Sequence, residues 1–283
     1  MPDTESPCRL YVYMASQAPV AVVLRRGPSA WSRLSLWHTE SDTFEHGQWH
    51  GRVYPRRCDV SPDGSLFAYF IHKATGGPDV SVDSWAAVSR PPFFTSLALW
   101  AVGTTYFAGG LFIDNDTLFM SWITDEQPDI GALPSWLKMT KELPHISRTP
   151  EWTDQTVHFN RLLRDGWTPA GPIDEPKTTW ERRQPAGDIT LVRAPALDVD
   201  VASDGGRHVD SYALQFADGE VEVLGRATWA DFDHRGRLVM AQDGRLVEWQ
   251  RGRGMREIAD FNGQSPVTEK SPSWAAEWPG RGT

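Results

Sequence analysis

Cysteine is nearly absent from this sequence: Cys8 and Cys58 are the only two in 283 residues. Two thiols cannot make a disulfide framework, and neither has a second cysteine nearby at metal-ligand spacing. Both read as small buried hydrophobes in a reducing compartment. Positive charge is also short, with 28 Lys and Arg against 37 Asp and Glu and a formal net charge of −9. Affinity for a phosphate backbone comes from clustered cations that release counterions, so nucleic acid is not expected as the main partner. Long apolar runs are missing as well. The stretch Ala18 to Leu24 is too short for a membrane span, and Met1 to Pro7 is polar and acidic without the basic start of a signal peptide. The expectation is a cytoplasmic chain with no membrane partner.

Nucleotide-binding loops are absent too. The glycine pairs at 76–77, 109–110 and 205–206 precede strands or turns rather than helices, which disfavours ATP- and NAD-dependent chemistry. No cofactor and no metal is expected. His46 and His50, with Glu45 beside them, have the spacing of a zinc pair on a helix. Here they flank Gly47-Gln-Trp49 in a strand-like stretch, and a solvated turn is the better reading.

What is present is a repeat. Cys58-Asp-Val-Ser-Pro-Asp-Gly-Ser-Leu-Phe-Ala-Tyr-Phe70, Gly110-Leu-Phe-Ile-Asp-Asn-Asp-Thr-Leu-Phe-Met-Ser-Trp122 and Ala230-Asp-Phe-Asp-His-Arg-Gly-Arg-Leu-Val-Met-Ala-Gln242 superimpose as strand, turn, strand. Asp, Asn and Gly accept the turn conformations, and the flanking β-branched and aromatic residues favour a pleated sheet. The last repeat continues into four short strands, 229–233, 237–242, 245–250 and 256–261, which make one blade.

On that template the chain is all-β: a β-propeller of five four-stranded blades in one domain, residues 8–263, followed by a loosely structured tail, 264–283. The units fall at 8–57, 58–103, 104–169, 173–225 and 229–261. The third ends on an expected strand from Val157 to Trp167 and carries an insertion at about 125–156. No stretch keeps helical periodicity over three turns, and the longest candidate is Pro134 to Leu143. The tail keeps Trp274 and Trp278, which could pack back on the body.

The Val60-Ser-Pro-Asp-Gly64 turn resembles the repeat of TolB-type and WD-type propellers, where it joins the inner two strands of a blade. The Trp-Asp dipeptide that ends a WD-type blade is absent. A second set of residues resembles a family of uncharacterised bacterial proteins of unassigned activity: Arg25-Arg-Gly-Pro28, Gly47-Gln-Trp49, Arg57-Cys-Asp-Val-Ser-Pro-Asp-Gly64, Trp85-Ala-Ala-Val-Ser-Arg-Pro-Pro92, Leu97-Ala-Leu-Trp100, Gly110-Leu-Phe-Ile-Asp-Asn115 and Arg164-Asp-Gly-Trp167. That resemblance implies a bacterial origin and carries no functional residues over.

In a propeller, ligands collect where the inner strands and their loops converge. Asp59 and Asp231 occupy the same repeat position, and Arg57 and Arg182 lie nearby. Paired carboxylates could act as acid and base on a sugar at the channel mouth, the glycoside-hydrolase-like alternative. The plainer alternative is that they hold blades together, paired with those arginines. Tryptophan is the strongest compositional anomaly, with 14 residues. Trp is both a sugar platform and an interface anchor.

The leading reading is a non-catalytic scaffold or binding module that presents loops and aromatics to a protein partner or polar small ligand. Its candidate binding residues are Arg57, Arg182, Trp85, Arg90, Trp136 and Trp152, the last two within the insertion. The competitors are the enzyme using Asp59 and Asp231 and a structural subunit of a larger assembly.

Overall fold

The computed structural model describes residues 7–27, 30–72, 83–103, 109–121, 126–143, 155–173, 178–195 and 209–280. Among these the architecture is all-β, with antiparallel pairing dominant. Strands β1 (Arg9–Met14), β2 (Val20–Arg26), β3 (Ser32–His38) and β4 (Thr43–His50) form one sheet in chain order. Strands β5 (Asp59–Val60), β6 (Phe67–His72), β7 (Ser84–Ser89) and β8 (Ser96–Ala101) form the second. Next come the hairpin strands β9 (Gly109–Phe112) and β10 (Thr117–Ser121). Strand β11 (Ile130–Gly131) returns to pair with β8, and β12 (Lys138–Thr140) lies parallel to β10.

After the helix α1 (Gln155–Arg164), five strands follow in chain order in one sheet: β13 (Thr168–Pro169), β14 (Trp180–Arg183), β15 (Ile189–Pro195), β16 (Asp210–Phe216) and β17 (Val221–Ala227). The last sheet holds β18 (Trp229–Phe232), β19 (Leu238–Gln242), β20 (Arg245–Gln250) and β21 (Gly254–Asp260). The chain divides into two compact units. Unit 1 comprises Met1–Val12, Arg25–Ser29 and Gly166–Gln264, and unit 2 comprises Tyr13–Leu24, Ala30–Asp165 and Ser265–Thr283.

In unit 2 the core lies between strands that are apolar on both faces. Strand β6 reads Phe-Ala-Tyr-Phe-Ile-His, with all but the last residue buried. Phe70, Val88, Trp100, Phe112, Leu118 and Leu137 form one cluster, against which Tyr54, Trp136 and Trp278 pack. The Ser61 to Gly64 turn explains itself locally. Asp63 Oδ1 accepts from the Ser61 hydroxyl at 2.6 Å and from the Ser65 amide at 3.0 Å, Ser61 Oγ accepts from the Leu66 amide at 2.9 Å, and Gly64 supplies φ +76°. The same turn is tied to the next repeat, because the Asp63 amide donates to Asn115 Oδ1 at 2.9 Å.

In unit 1 the alternation is strict on β16, where Asp210, Tyr212, Leu214 and Phe216 are buried and the residues between them are not. Asp243 and Gly244, both at positive φ (50° and 75°), make the tight turn from β19 to β20 that a type I′ hairpin requires. Glu248 on β20 anchors a charged cluster: its carboxylate accepts from Arg256 Nη2 at 2.5 Å and Gln250 Nε2 at 3.1 Å, with Arg237 at 3.6 Å. Burial works to raise this carboxyl, but those hydrogen bonds and charges outweigh it and hold it below its ordinary value. A carboxyl depressed by folding stabilises the fold above its unfolded value and loses that contribution as pH falls through the folded one. Glu248→Gln is therefore expected to cost about 1–2 kcal/mol in urea denaturation at neutral pH. The gap to the parent should close in acid, well below the ordinary value of 4.5.

Two expectations need correction. The segment expected as a strand from Val157 to Trp167 is instead mostly α1, while Pro134 to Leu143, the expected helix, contains β12. The helix buries Thr156, His158 and Asn160 as well as Val157, Phe159 and Leu162, so its sequence shows no clean apolar stripe. Nor do the sheets have four strands each. Among the described residues their sizes are four, five, three, five and four: the insertion lends β11 and β12 to two sheet edges, and β13 adds a fifth strand beside β14. Added strands satisfy edge amides that would otherwise stand open.

Candidate functional site

Each of the two candidate carboxylates sits at the centre of its own network. In unit 2, Asp59 on β5 is fully buried. The C-terminal turn of α1 brings Arg164 to it as a fork, Nη1 to Oδ2 at 2.5 Å and Nη2 to Oδ1 at 2.9 Å. The Phe112 amide on β9 donates to Oδ2 at 2.8 Å. Arg164 also donates to the Phe112 carbonyl at 2.8 Å and to Asp165 at 2.9 Å, so one guanidinium joins α1, β5 and β9. Burial raises the Asp59 carboxyl above its ordinary value, against the pull of Arg164, and Asp59 and Asp165 together hold Arg164 charged.

Arg161, one turn earlier, donates to the Cys58 carbonyl and to His158 Nδ1, and stands 4.8 Å over the Tyr13 ring. Arg57 does not take Asp59 as its partner. Its guanidinium lies 5.1 Å over Tyr54 and 4.9 Å over Phe70, a buried cation–π arrangement.

In unit 1, Asp231 on β18 accepts from the Trp167 indole at 2.9 Å and from the Phe232 amide at 2.7 Å, with Arg182 of β14 at 3.4 Å. Gly166, at φ +84°, leaves room for that guanidinium: a Cβ there would come within 2.0 Å of Arg182 Nη1. Arg182 thus meets the carboxylate that its repeat position suggested. Deeper in the same sheet, Arg193 and Asp210 form a second buried pair at 2.8 Å. A general acid or base must hand a proton to a reacting atom. Asp59 has both oxygens on Arg164 and an amide, and both oxygens of Asp231 accept hydrogen bonds from its own unit.

The remaining candidates are divided. Arg90 and Trp136 come to one surface of unit 2 together with the C-terminal segment. Arg90 lies 4.8 Å over the Trp274 ring and donates to the carbonyls of Trp274 (2.9 Å) and Glu277 (3.2 Å). Trp136 meets Trp278 edge-on at 6.0 Å. Trp85 is half-buried on β7 opposite Ala101 and joins neither group. Trp152 lies outside the described residues.

His46 and His50 are not in a turn. Both belong to β4, where Ser35 Oγ meets His46 Nδ1 at 2.8 Å and the His50 ring packs 5.3 Å from Phe94. Burial lowers the pKa of both histidines. Cys8 and Cys58 are free and buried, and burial pushes their thiols up to about 11 and about 12, so neither is a thiolate at neutral pH.

No protein-family model matches the chain, and no curated protein does. Among solved structures, the chain is similar to the β-propeller domain of the Trilobed protease from Pyrococcus furiosus, described as having an open velcro topology. The two share 11% identity at a TM-score of 0.33, over 91% of this chain and 100% of that one. At that TM-score the fold class rests on the strand orders themselves. Among the described residues, no helix is long and apolar enough to cross a membrane.

Sequence reasoning missed Arg164, Trp167, Phe93 and the seat of the tail. For Arg164 one signal existed: a buried aspartate at a repeat position demands a cation, and Arg57 was the nearer choice in sequence. Nothing local distinguishes it from Arg164, which is 105 residues away.

Proposed function

We propose that the chain is a non-catalytic binding module of propeller type that presents aromatic and arginine side chains to a protein partner. Four consecutive antiparallel runs, β1–β4, β5–β8, β14–β17 and β18–β21, are what successive blades would supply. The observation that carries the reading is how the polar groups are used. Asp59 and Asp231 serve as joints between elements, whereas Arg90 and the half-buried Trp136 are engaged by the C-terminal segment. Interfaces are built from such arginine and tryptophan anchors.

Two measurements test this. Incubated with a panel of chromogenic glycosides, the chain should release nothing above the buffer rate, and hydrolysis that falls on Asp59→Asn or Asp231→Asn would overturn the reading. In affinity capture with the intact chain, a stoichiometric protein whose cross-links map to residues 126–143 supports it.

A further inference from the structure

Among the described residues after β21 there is no further strand, yet residues 265–280, which belong to unit 2, are held against the rest of it by contacts spaced along their length. The first is at Glu269, whose carboxylate accepts from Arg33 at 2.9 Å and whose carbonyl accepts from the Gln48 side chain at 3.2 Å. Five residues on, Trp274 lies under the Arg90 guanidinium and meets Phe93 edge-on at 5.3 Å, while its own carbonyl binds the same arginine. Four further on, the Trp278 indole donates to the Ala132 carbonyl at 2.9 Å and packs against Trp136. Between the two tryptophans Ala275 is fully buried, although Trp274 itself remains 40% exposed.

The conformation fits these contacts. Pro272, at φ −64° and ψ 158°, is polyproline-like and leads into a short 3-10 turn, Ser273–Ala276, that carries Trp274, while Pro266 and Pro279 flank the anchors. Prolines flanking such a turn reduce the entropy lost on docking, and aromatic-lined grooves with polar groups that catch carbonyls are a recurring way of binding proline-bearing peptides. Arg90 does this with two carbonyls and an indole. The seat therefore reads backbone and aromatic rings in the manner of a receptor, with Arg33 adding selection for one acidic residue ahead of the first tryptophan.

We propose that the surface formed by Arg33, Gln48, Arg90, Phe93 and Trp136 is a docking groove for a proline-bearing peptide with two tryptophans four residues apart and a glutamate five residues ahead of the first. The chain's own residues 265–280 fill it in competition with such a peptide on a partner protein. This rests on the binding-module reading and names the partner's chemistry. A tethered occupant acts at millimolar effective concentration, so an incoming peptide of about 10 μM intrinsic affinity is weakened about 100-fold until the tail is displaced.

The test uses the full chain with a protease site inserted after Gln264, folded first and then cut. The probe is a fluorescein-labelled synthetic peptide of residues 265–280, followed by anisotropy. The cut chain should exchange its tail for the probe and bind it at micromolar concentration, and the uncut chain should bind it at least 50-fold more weakly. Arg90→Ala in the cut chain should weaken the probe more than tenfold while leaving the melting temperature of the uncut chain close to that of the parent. A probe with both tryptophans replaced by alanine should not bind.

A cut tail that stays through gel filtration without exchange, or a chain that unfolds as the tail leaves, would make the segment inseparable from the core of unit 2 and overturn the proposal. Concentration-dependent dimers of the uncut chain that exchange tails would assign the groove to a second copy and overturn the partner. The glycoside panel and the capture experiment use the uncut chain, so neither outcome decides the binding-module reading.

Discussion

Arg164→Met is expected to destabilise the protein by about 3–5 kcal/mol, read as a lowered urea midpoint by circular dichroism, because it strands a buried carboxylate. Asp59 has no exposed surface, and without the fork from Arg164 its carboxylate keeps the hydrogen bond from the Phe112 amide but no ion pair among the described residues. The same substitution also removes the donor to the Phe112 carbonyl, so α1 loses the guanidinium that ties it at once to β5 and β9.

The loss carries a pH signature. Burial already raises the Asp59 carboxyl, and removing its strongest opposing charge raises it further. A folded state that binds a proton more tightly than the unfolded chain loses stability as pH rises from the unfolded value of 3.8 toward the folded one. The deficit of Arg164→Met should therefore be smallest in acid and grow toward neutrality. Adding Asp59→Asn to Arg164→Met removes the stranded charge, so the double variant should be less unstable than the sum of the two singles by at least about 1 kcal/mol. Strict additivity would mean that the pair does not act as a unit.

Trp100→Ala should be comparably severe, costing about 3–5 kcal/mol by the same denaturation measurement, because large-to-small changes lose burial and leave a cavity. Trp100 is 2% exposed in the main cluster of unit 2, beside residues contributed by several strands. Its indole also donates to the Glu126 carbonyl at 3.4 Å, a long contact that contributes less than the packing. Trp274→Ala is the contrasting case. At 40% exposure and with its main contacts to Arg90 and Phe93, it should cost about 1 kcal/mol or less. If the two substitutions cost the same, the distinction between core and surface tryptophans fails, and with it the reading of the tail as a docked peptide.

That distinction was only partly legible beforehand. Of Trp37, Trp100, Trp122 and Trp249, which the sequence places within strands, Trp37, Trp100 and Trp249 are buried and Trp122 lies outside the described residues. Trp167 and Trp180, at strand ends, are buried as well, each because tertiary packing closes over it. For Trp167 the indole N–H also finds Asp231, 64 residues later. The repeat placed Asp59 and Asp231 at the same position in sequence but could not supply their partners. Arg182, on β14, meets Asp231 across two sheets of unit 1, while Arg164 is delivered by a helix that the sequence pattern did not show.

Strands and hairpins were decided locally. Turn chemistry such as Ser61-Pro-Asp-Gly64 or Asp243-Gly244, and the alternation on β16, act between residues a few positions apart, so the sequence alone determines an all-β chain of consecutive antiparallel strands. Three features were decided only in the tertiary structure: α1 in place of a strand, Arg164 as the counter-ion of Asp59, and the tail's seat on Arg90, Phe93 and Trp136. Each depends on which groups lose water together across a hundred residues or more of chain, and desolvation of that kind has no local pattern to announce it.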